Sequence, residues 1–383
     1  MIYLDYNAST PVDRRVADVM YHSLTTTVGN PSSVDHAWGD RATATIDSAR
    51  HHLAQLLNTD PRTLVFTSGA TESLNLAIHG TVQHLTRQGI RPRLAVTALE
   101  HKAVLEPCQT LAQADLVDLE ILPVNGQGQL DLSQLEQCCH QGPHLLCTMA
   151  ANNEIGTLNP MAEIAAIARR YQIPLLCDAT QALGKIPLDL AAWGGTVLLA
   201  CSAHKLYGPQ GCGALVVPRT YALGSLFQGG NQQRGLRPGT LNLPGIVGFG
   251  EACRLRSLEM ATDEARIATL RDRLTAQLQA QIPDLVIHGD RTPRLAGTLS
   301  LSIPGIPSTA LLARLRHQLA CSTGSACTSG SPAPSHVLRA LGLSAVHLNS
   351  ALRLSLGKFT TIPELDHAAT LLIQTITHIK ALN

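Results

Sequence analysis

Between about residue 60 and residue 217 the chain repeats a single pattern, and that pattern restricts its fold more than any other feature. Short apolar runs recur at residues 64–66, 94–97, 145–149, 175–177, 197–201 and 214–217, each separated from the next by a turn or a helix-length stretch. Such runs read as strands buried on both faces, and their alternation with helices requires a mainly parallel sheet covered on both sides. One of the intervening helices is well marked. Asn159 is expected to cap it and Pro160 to occupy its first turn, while Ile164, Ile167, Ala168 and Tyr171 share one face.

The remainder of the chain is organised differently. Residues 228–240 are glycine-rich, contain Pro238 and read as a long loop. A charged helix follows at about residues 259–281, with Ile267, Leu270, Leu274 and Leu278 forming a narrow apolar stripe. Strands are expected at 299–303 and 351–355, and Thr361 with Glu364 has the spacing of a capping box opening a last helix. The expectation is an α/β chain of two units: a large one over residues 14–257 and a smaller α+β one over 258–383, with residues 1–13 packing on the small unit. At 383 residues the chain exceeds what a single ordinary core accommodates.

Composition excludes several classes of function. The net charge is +1, and no Lys/Arg block with interleaved aromatics occurs, so neither nucleic acid nor an anionic membrane is expected as a partner. No apolar run reaches membrane-spanning length. Met1-Ile2-Tyr3-Leu4-Asp5 lacks the basic and apolar regions of a secretory signal. The ten cysteines are scattered without a C-x-x-C pair, which suits reduced thiols in the cytoplasm better than a disulfide framework or a metal site.

Candidate chemistry gathers at the ends of the strands. Ser202-Ala203-His204-Lys205 follows one of them, and a lysine there can hold a carbonyl cofactor covalently while its neighbours hold a phosphate. A surface lysine after a strand has the same local sequence. Asp178 ends another strand and could pair with a protonated pyridine nitrogen, or simply cap the following helix. Gly69-Ala70-Thr71 offers backbone N–H groups and a hydroxyl at a helix N-terminus, suited to a phosphate dianion. His101 could stack on an aromatic cofactor and move protons. Asn153 follows a further strand. Arg353, within a late strand, could meet a substrate carboxylate or make a structural salt bridge. The segment 322–335 stands apart: eleven of its fourteen residues are Ser, Thr, Gly or Pro, so neither helix nor strand should persist around its lone thiol, Cys327.

These residues sit in longer matches. Leu4-Asp5-Tyr6-Asn7-Ala8-Ser9-Thr10-Pro11, Phe66-Thr67-Ser68-Gly69-Ala70-Thr71-Glu72, Asn152-Asn153-Glu154-Ile155-Gly156, Asp178-Ala179-Thr180-Gln181, His204-Lys205-Leu206-Tyr207-Gly208-Pro209, Arg237-Pro238-Gly239-Thr240 and Ser325-Ala326-Cys327-Thr328 occur in order along the chain. Together they resemble cysteine desulfurases of the NifS/IscS-like group, class-V aminotransferases of the PLP-dependent transferase fold type I. The resemblance implies a large domain with a mainly parallel seven-stranded sheet, a homodimer, and pyridoxal 5′-phosphate as cofactor. It implies that Lys205 binds the cofactor covalently, Asp178 pairs with the ring nitrogen, Gln181 contacts the ring hydroxyl, and His101 stacks and moves protons. The phosphate would rest on Ala70, Thr71, Ser202 and His204, with Thr240 supplied by the neighbouring subunit. Asn153 and Arg353 would orient L-cysteine. Cys327 would take its sulfur as a persulfide for an iron–sulfur scaffold protein or another acceptor, such as a tRNA-thiolating enzyme. The chain departs from the family's usual stretch at Asn231 and Gln233, where Gly and Glu are common, and this is expected to alter the loop at the subunit edge.

Overall fold

The computed structural model describes residues 1–289, 293–323 and 335–382. A two-residue N-terminal strand, β1 (Ile2–Tyr3), precedes the strands of the principal sheet: β2 (Leu64–Thr67), β3 (Arg93–Thr97), β4 (Asp118–Leu122), β5 (Leu145–Met149), β6 (Leu175–Asp178), β7 (Val197–Ser202) and β8 (Gly213–Val216). These seven lie in the order β2-β8-β7-β6-β5-β3-β4. Only β8 opposes its neighbours; every other pairing in the sheet is parallel.

Both faces of this sheet are covered, and the strand sequences explain why. Val197, Leu199 and Cys201 of β7 point into one core while Leu198 and Ala200 point into another. Leu175 and Cys177 against Leu176 in β6 divide in the same way. One core is roofed by the helices Ala37–Leu57 and Met161–Arg170, the other by Ala70–Arg87 and Lys102–Gln113. Each fully buried aliphatic side chain contributes roughly 1.5–3 kcal/mol. The exception is β4, where only Leu122 is buried. At an open edge with one half-covered face, Asp118-Leu119-Glu120-Ile121 carries no continuous apolar signal, and sequence reading missed it.

Two helix expectations are revised. Asn159 does not cap Met161–Arg170; its side-chain amide donates to the Met149 carbonyl at 2.7 Å, and Pro160 occupies the cap position. The charged helix expected from residue 259 begins much earlier and runs unbroken as Leu243–Gln281, opened by Asn242 accepting from the Gly245 N–H. Its first part (Leu243, Ile246, Phe249, Ala252) belongs to the core of the principal sheet. Ile267, Leu270, Leu274 and Leu278 belong to a separate core with the terminal helix Ile362–Leu382 and with the strands β9 (Val286–Ile287), β10 (Thr298–Ser302), β11 (Leu319–Ala320) and β12 (Ala351–Ser355). Between the two stretches Arg256, 1% exposed, donates to the Gly184 carbonyl at 2.7 Å and pairs with Asp263 and Glu264. The capping box forms as expected: the Thr361 N–H reaches Glu364 Oε2 at 3.1 Å and the Glu364 N–H reaches Thr361 Oγ1 at 3.4 Å.

The N-terminal segment joins the two cores. β1 pairs in parallel with β11, and Ile2 and Leu4 are buried in the second core. The Asn7 N–H donates to Ser355 Oγ of β12 and its side-chain amide to Thr298 Oγ1 of β10, still on the second core's sheet, before the chain reaches the principal sheet, where the Thr10 N–H donates to the His204 carbonyl at 2.9 Å.

Candidate active site

Strand order reverses between β3 and β5, and a crevice opens at the C-terminal ends of the strands around this reversal. It holds a cavity of about 470 Å³. Four strand ends deliver side chains to it: His101 after β3, Asn153 after β5, Asp178 at the end of β6, and Ser202 at the end of β7 with His204 and Lys205 just after it. Gly69, Ala70 and Thr71, opening the helix Ala70–Arg87, complete the opposite wall with Gln181 and the N-terminal Asn7 and Ala8. The residues named from the sequence at positions 70, 71, 101, 153, 178, 181, 202, 204 and 205 therefore share one cavity.

Lys205 lies in a short 3₁₀ turn directly after β7, and its Nζ donates to the carbonyls of Asn7 and Ala8 at 2.6 and 2.7 Å. Two steps on, Tyr207 is buried with φ of 66°, a left-handed conformation uncommon for a bulky residue. It is held there by its N–H on Thr10 Oγ1 and by the Lys358 N–H donating to its hydroxyl. The N-terminal segment thus fixes both the lysine and the turn that carries it. His204 Nδ1 meets Ser9 Oγ at 3.1 Å. Burial, with help from Lys205 and Lys185, lowers His204 to about 4, so the ring is neutral at physiological pH.

Asp178 accepts from the Thr180 N–H at 2.9 Å, the local turn bond that also suits a cap. His101 caps the helix Lys102–Gln113, its Nδ1 accepting from the Ala103 N–H at 3.1 Å; in the neutral ring this assigns the proton to Nε2. Glu100, one residue before it, is fully buried. Its Oε1 accepts from Thr97 and from the Met149 N–H, and burial raises it to about 8, against the pull of the Thr97 bond.

At the helix mouth Gly69 caps without a side chain, so the first-turn N–H groups of an eighteen-residue helix face the cavity wall unobstructed. A Cβ at Gly69 would stand 3.8 Å from Ser202 Oγ, and one at Gly213 would come within 2.6 Å of Gly69 Cα. Glycine at 213 is what lets β8 bring this turn against Ser202. Glu72, which also borders the cavity, is neutralised locally. Burial pushes its carboxyl up, but bonds from Arg237 and the Ser68 N–H outweigh that and hold it below the ordinary range.

Two expected residues are placed elsewhere. Arg353 is 1% exposed and does not line this cavity: it donates to Asp5 Oδ1 at 2.8 Å and to the Asn153 carbonyl at 3.1 Å, and its Nε lacks a partner among the described residues. Thr240 is exposed and also outside the cavity lining. Cys327 lies outside the described residues. Sequence reading gave no role to the Asn7 and Ala8 carbonyls, to Glu100 or to Lys185. A backbone acceptor leaves no trace in residue type, while the lone acid Glu100 beside His101 was a signal that could have been followed.

An open α/β sheet with a lysine after one strand, an acid ending the next and an uncapped helix mouth opposite is an arrangement chemically suited to a phosphorylated ligand. The chain belongs to the class-V aminotransferase family, whose model matches residues 2–367. Within that family it falls with the cysteine desulfurases of the NifS/IscS-like group. It is 42% identical over 383 residues to "Cysteine desulfurase IscS" of Colwellia psychrerythraea, covering 99% of this chain and 93% of that protein. It is 41% identical over 384 residues to "Cysteine desulfurase, mitochondrial" of Arthroderma benhamiae, covering 100% of this chain and 76% of that protein. Among solved structures, a NifS-like protein superposes with a TM-score of 0.91 at 31% identity, covering 98% of this chain and 99% of the other. A NifS-like protein from Rickettsia africae gives 0.87 at 28% identity, covering 100% and 99%.

Proposed function

We propose that this chain is a cysteine desulfurase that uses pyridoxal 5′-phosphate to move sulfur from L-cysteine to Cys327. The observation that carries the reading is the convergence of Lys205, Asp178, His101 and the uncapped mouth of Ala70–Arg87 on one cavity. The donor set fits the cofactor's chemistry. The helix mouth with Ser202 and neutral His204 suits a phosphate, the Asp178 carboxylate suits a pyridinium nitrogen, and the Thr180 hydroxyl in the cavity wall is buried with no partner among the described residues.

Ala70, Thr71, Ser202 and His204 would hold the phosphate, Lys205 would make the covalent attachment, and Gln181 would meet the ring oxygen. Thr240 would serve the site of a neighbouring subunit in a homodimer. Pyridoxal phosphate, when bound, supplies an electron sink for the carbanion at the substrate α-carbon. Lys205, when not covalently attached, would be the base that takes the α-proton. His101 Nε2 would exchange a proton on the cavity side, since its Nδ1 accepts from the Ala103 N–H of the helix. Asn153 would orient the substrate carboxylate, and Arg353, which lies outside the cavity lining, would join it by exchanging its Asp5 partner for that carboxylate. The Cys327 thiolate attacks the substrate sulfur, the Cβ–S bond breaks, and the thiol proton returns to carbon. L-cysteine plus the Cys327 thiol thus gives L-alanine plus the Cys327 persulfide. The persulfide passes to an iron–sulfur scaffold protein or another acceptor. The cytoplasm is the compartment proposed, on the number of unpaired thiols the chain carries.

The test is spectroscopic and chemical. Purified protein should be yellow, and borohydride should fix the cofactor to Lys205, as peptide mapping would detect. Cys327→Ala should keep the colour and lose sulfide release from cysteine under reductant. Full activity in that variant would instead indicate a lyase that needs no protein thiol, and a protein that stays colourless with added cofactor would refute the assignment.

A further inference from the structure

Lys185 lies four residues beyond Gln181 and outside the cavity lining. Its Nζ donates to Gln181 Oε1 at 2.8 Å, while Gln181 Nε2 donates to the Asn7 carbonyl at 2.9 Å. The same carbonyl accepts from Lys205 Nζ at 2.6 Å. A continuous set of hydrogen bonds therefore runs from one lysine to the other through a carboxamide and a peptide oxygen. Gln181 is 4% exposed, so its two ends have little access to water.

A carboxamide has one acceptor end and one donor end, and an ammonium only donates. With Lys185 on Oε1, the –NH₂ group must face Asn7 and the cavity. The flipped amide would set –NH₂ against the ammonium and its oxygen against the Asn7 carbonyl, and both bonds would be lost. Lys185 is half-buried and forms no ion pair among the described residues; the acceptor it bonds is the neutral Gln181 amide. Burial pushes its ammonium down; Glu264 opposes that, and Lys205, Arg256 and Arg353 add to it.

We propose that Lys185 is a positioning residue of the cofactor site: it fixes the Gln181 carboxamide so that the cavity is offered an N–H donor at the position of the cofactor's ring oxygen. This rests on the reading of Gln181 as a cofactor contact. An N–H donor there favours the ionised ring oxygen, so the device acts on the protonation of the bound chromophore as well as on its retention.

The experiment uses the full chain loaded with pyridoxal phosphate and compares wild type, Lys185→Met, Gln181→Ala and the double variant. Two quantities are read: cofactor affinity by absorbance titration, and the pH midpoint of the bound chromophore. Lys185→Met should weaken retention about tenfold, the lower end of what a hydrogen bond to a charged group is worth, and move the midpoint upward by about one unit. The double variant should be no worse than Gln181→Ala, because Lys185 acts through Gln181. Wild-type affinity and midpoint in Lys185→Met would overturn the proposal, as would additive losses in the double variant. Should Lys185→Met fail to fold, Gln181→Glu keeps an acceptor for Lys185 and removes the donor. It should shift the midpoint as Gln181→Ala does, and an unshifted midpoint would overturn the proposal. If wild type itself takes up no cofactor, the functional reading fails at its base; if wild type loads and only the variant comparison fails, the positioning role alone falls.

Discussion

Asp5 and Arg353 provide the sharpest energetic test of how the second core is tied to the site. The Arg353 side chain is 2% exposed, and its NH2 donates to Asp5 Oδ1 at 2.8 Å, while the Asp5 side chain remains 18% exposed. Removing one partner of a buried ion pair costs about 3–5 kcal/mol, because the surviving charge stays desolvated. Two features reduce the figure here: water can approach from the Asp5 side, and Arg353 keeps its bond to the Asn153 carbonyl at 3.1 Å. Asp5→Ala should therefore cost about 2–3 kcal/mol. Asp5→Asn keeps an acceptor oxygen but no charge, and should cost about half as much. Adding Arg353→Met to Asp5→Ala removes the orphaned charge and should recover part of the loss. Urea unfolding followed by circular dichroism, with unchanged slopes, measures all three. Equal costs for Asp5→Ala and Asp5→Asn, or a double variant less stable than Asp5→Ala alone, would refute the reasoning.

Other consequences can be checked with the same preparations. Gly213→Ala puts a Cβ within 2.6 Å of Gly69 Cα and 2.7 Å of the Cys201 carbonyl, so the helix mouth must shift. Cofactor retention, read by absorbance after dialysis, should fall more than about tenfold, since overpacking of this kind costs roughly 1–3 kcal/mol. Glu154 is raised to about 7 by burial, against the Ser335 hydroxyl on its Oε2. Its folded value lies above the ordinary 4.5, so the stability it confers is complete below that value and lost as pH rises through about 7. Glu154→Gln should flatten this alkaline-side decline in urea midpoints. His204 works in the opposite sense: lowered to about 4 from 6.5, it confers stability present above pH 6.5 and lost as pH falls through about 4. His204→Gln should flatten the acid side in protein freed of cofactor.

The principal sheet was legible because most of its strands are buried on both faces and so are written as apolar runs. β4 was not, since at the open edge only Leu122 needs to be apolar. The convergence of His101, Asn153, Asp178 and Lys205 was also readable, because parallel α/β topology sends every strand end to the same crevice. What escaped was whatever depends on backbone atoms or on residues remote in sequence. The Asn7 and Ala8 carbonyls that hold Lys205 have no side-chain signature. The pairing of Arg353 with Asp5, 348 positions apart, was one of two alternatives for a buried arginine, and residue type alone could not choose between them. Gln233 shows how a departure from a family pattern acquires meaning only in place. Its amide accepts from the Phe66 N–H and donates to the Phe66 carbonyl, satisfying backbone groups of edge strand β2 in a way that a carboxylate, which only accepts, could not.

The bonds of the N-terminal segment bear on the order in which the protein can be made. Residues 1–8 are synthesised long before the residues they pair with: β1 finds its partner strand only at Leu319–Ala320, and the Asn7 N–H finds its acceptor only at Ser355. Through most of synthesis β1 has no strand to pair with, while the principal sheet, complete by Val216, has every strand it needs. The anchorage of Lys205 on the Asn7 and Ala8 carbonyls is therefore among the last features to form, so a ribosome-bound chain can own a finished sheet and still lack a finished site.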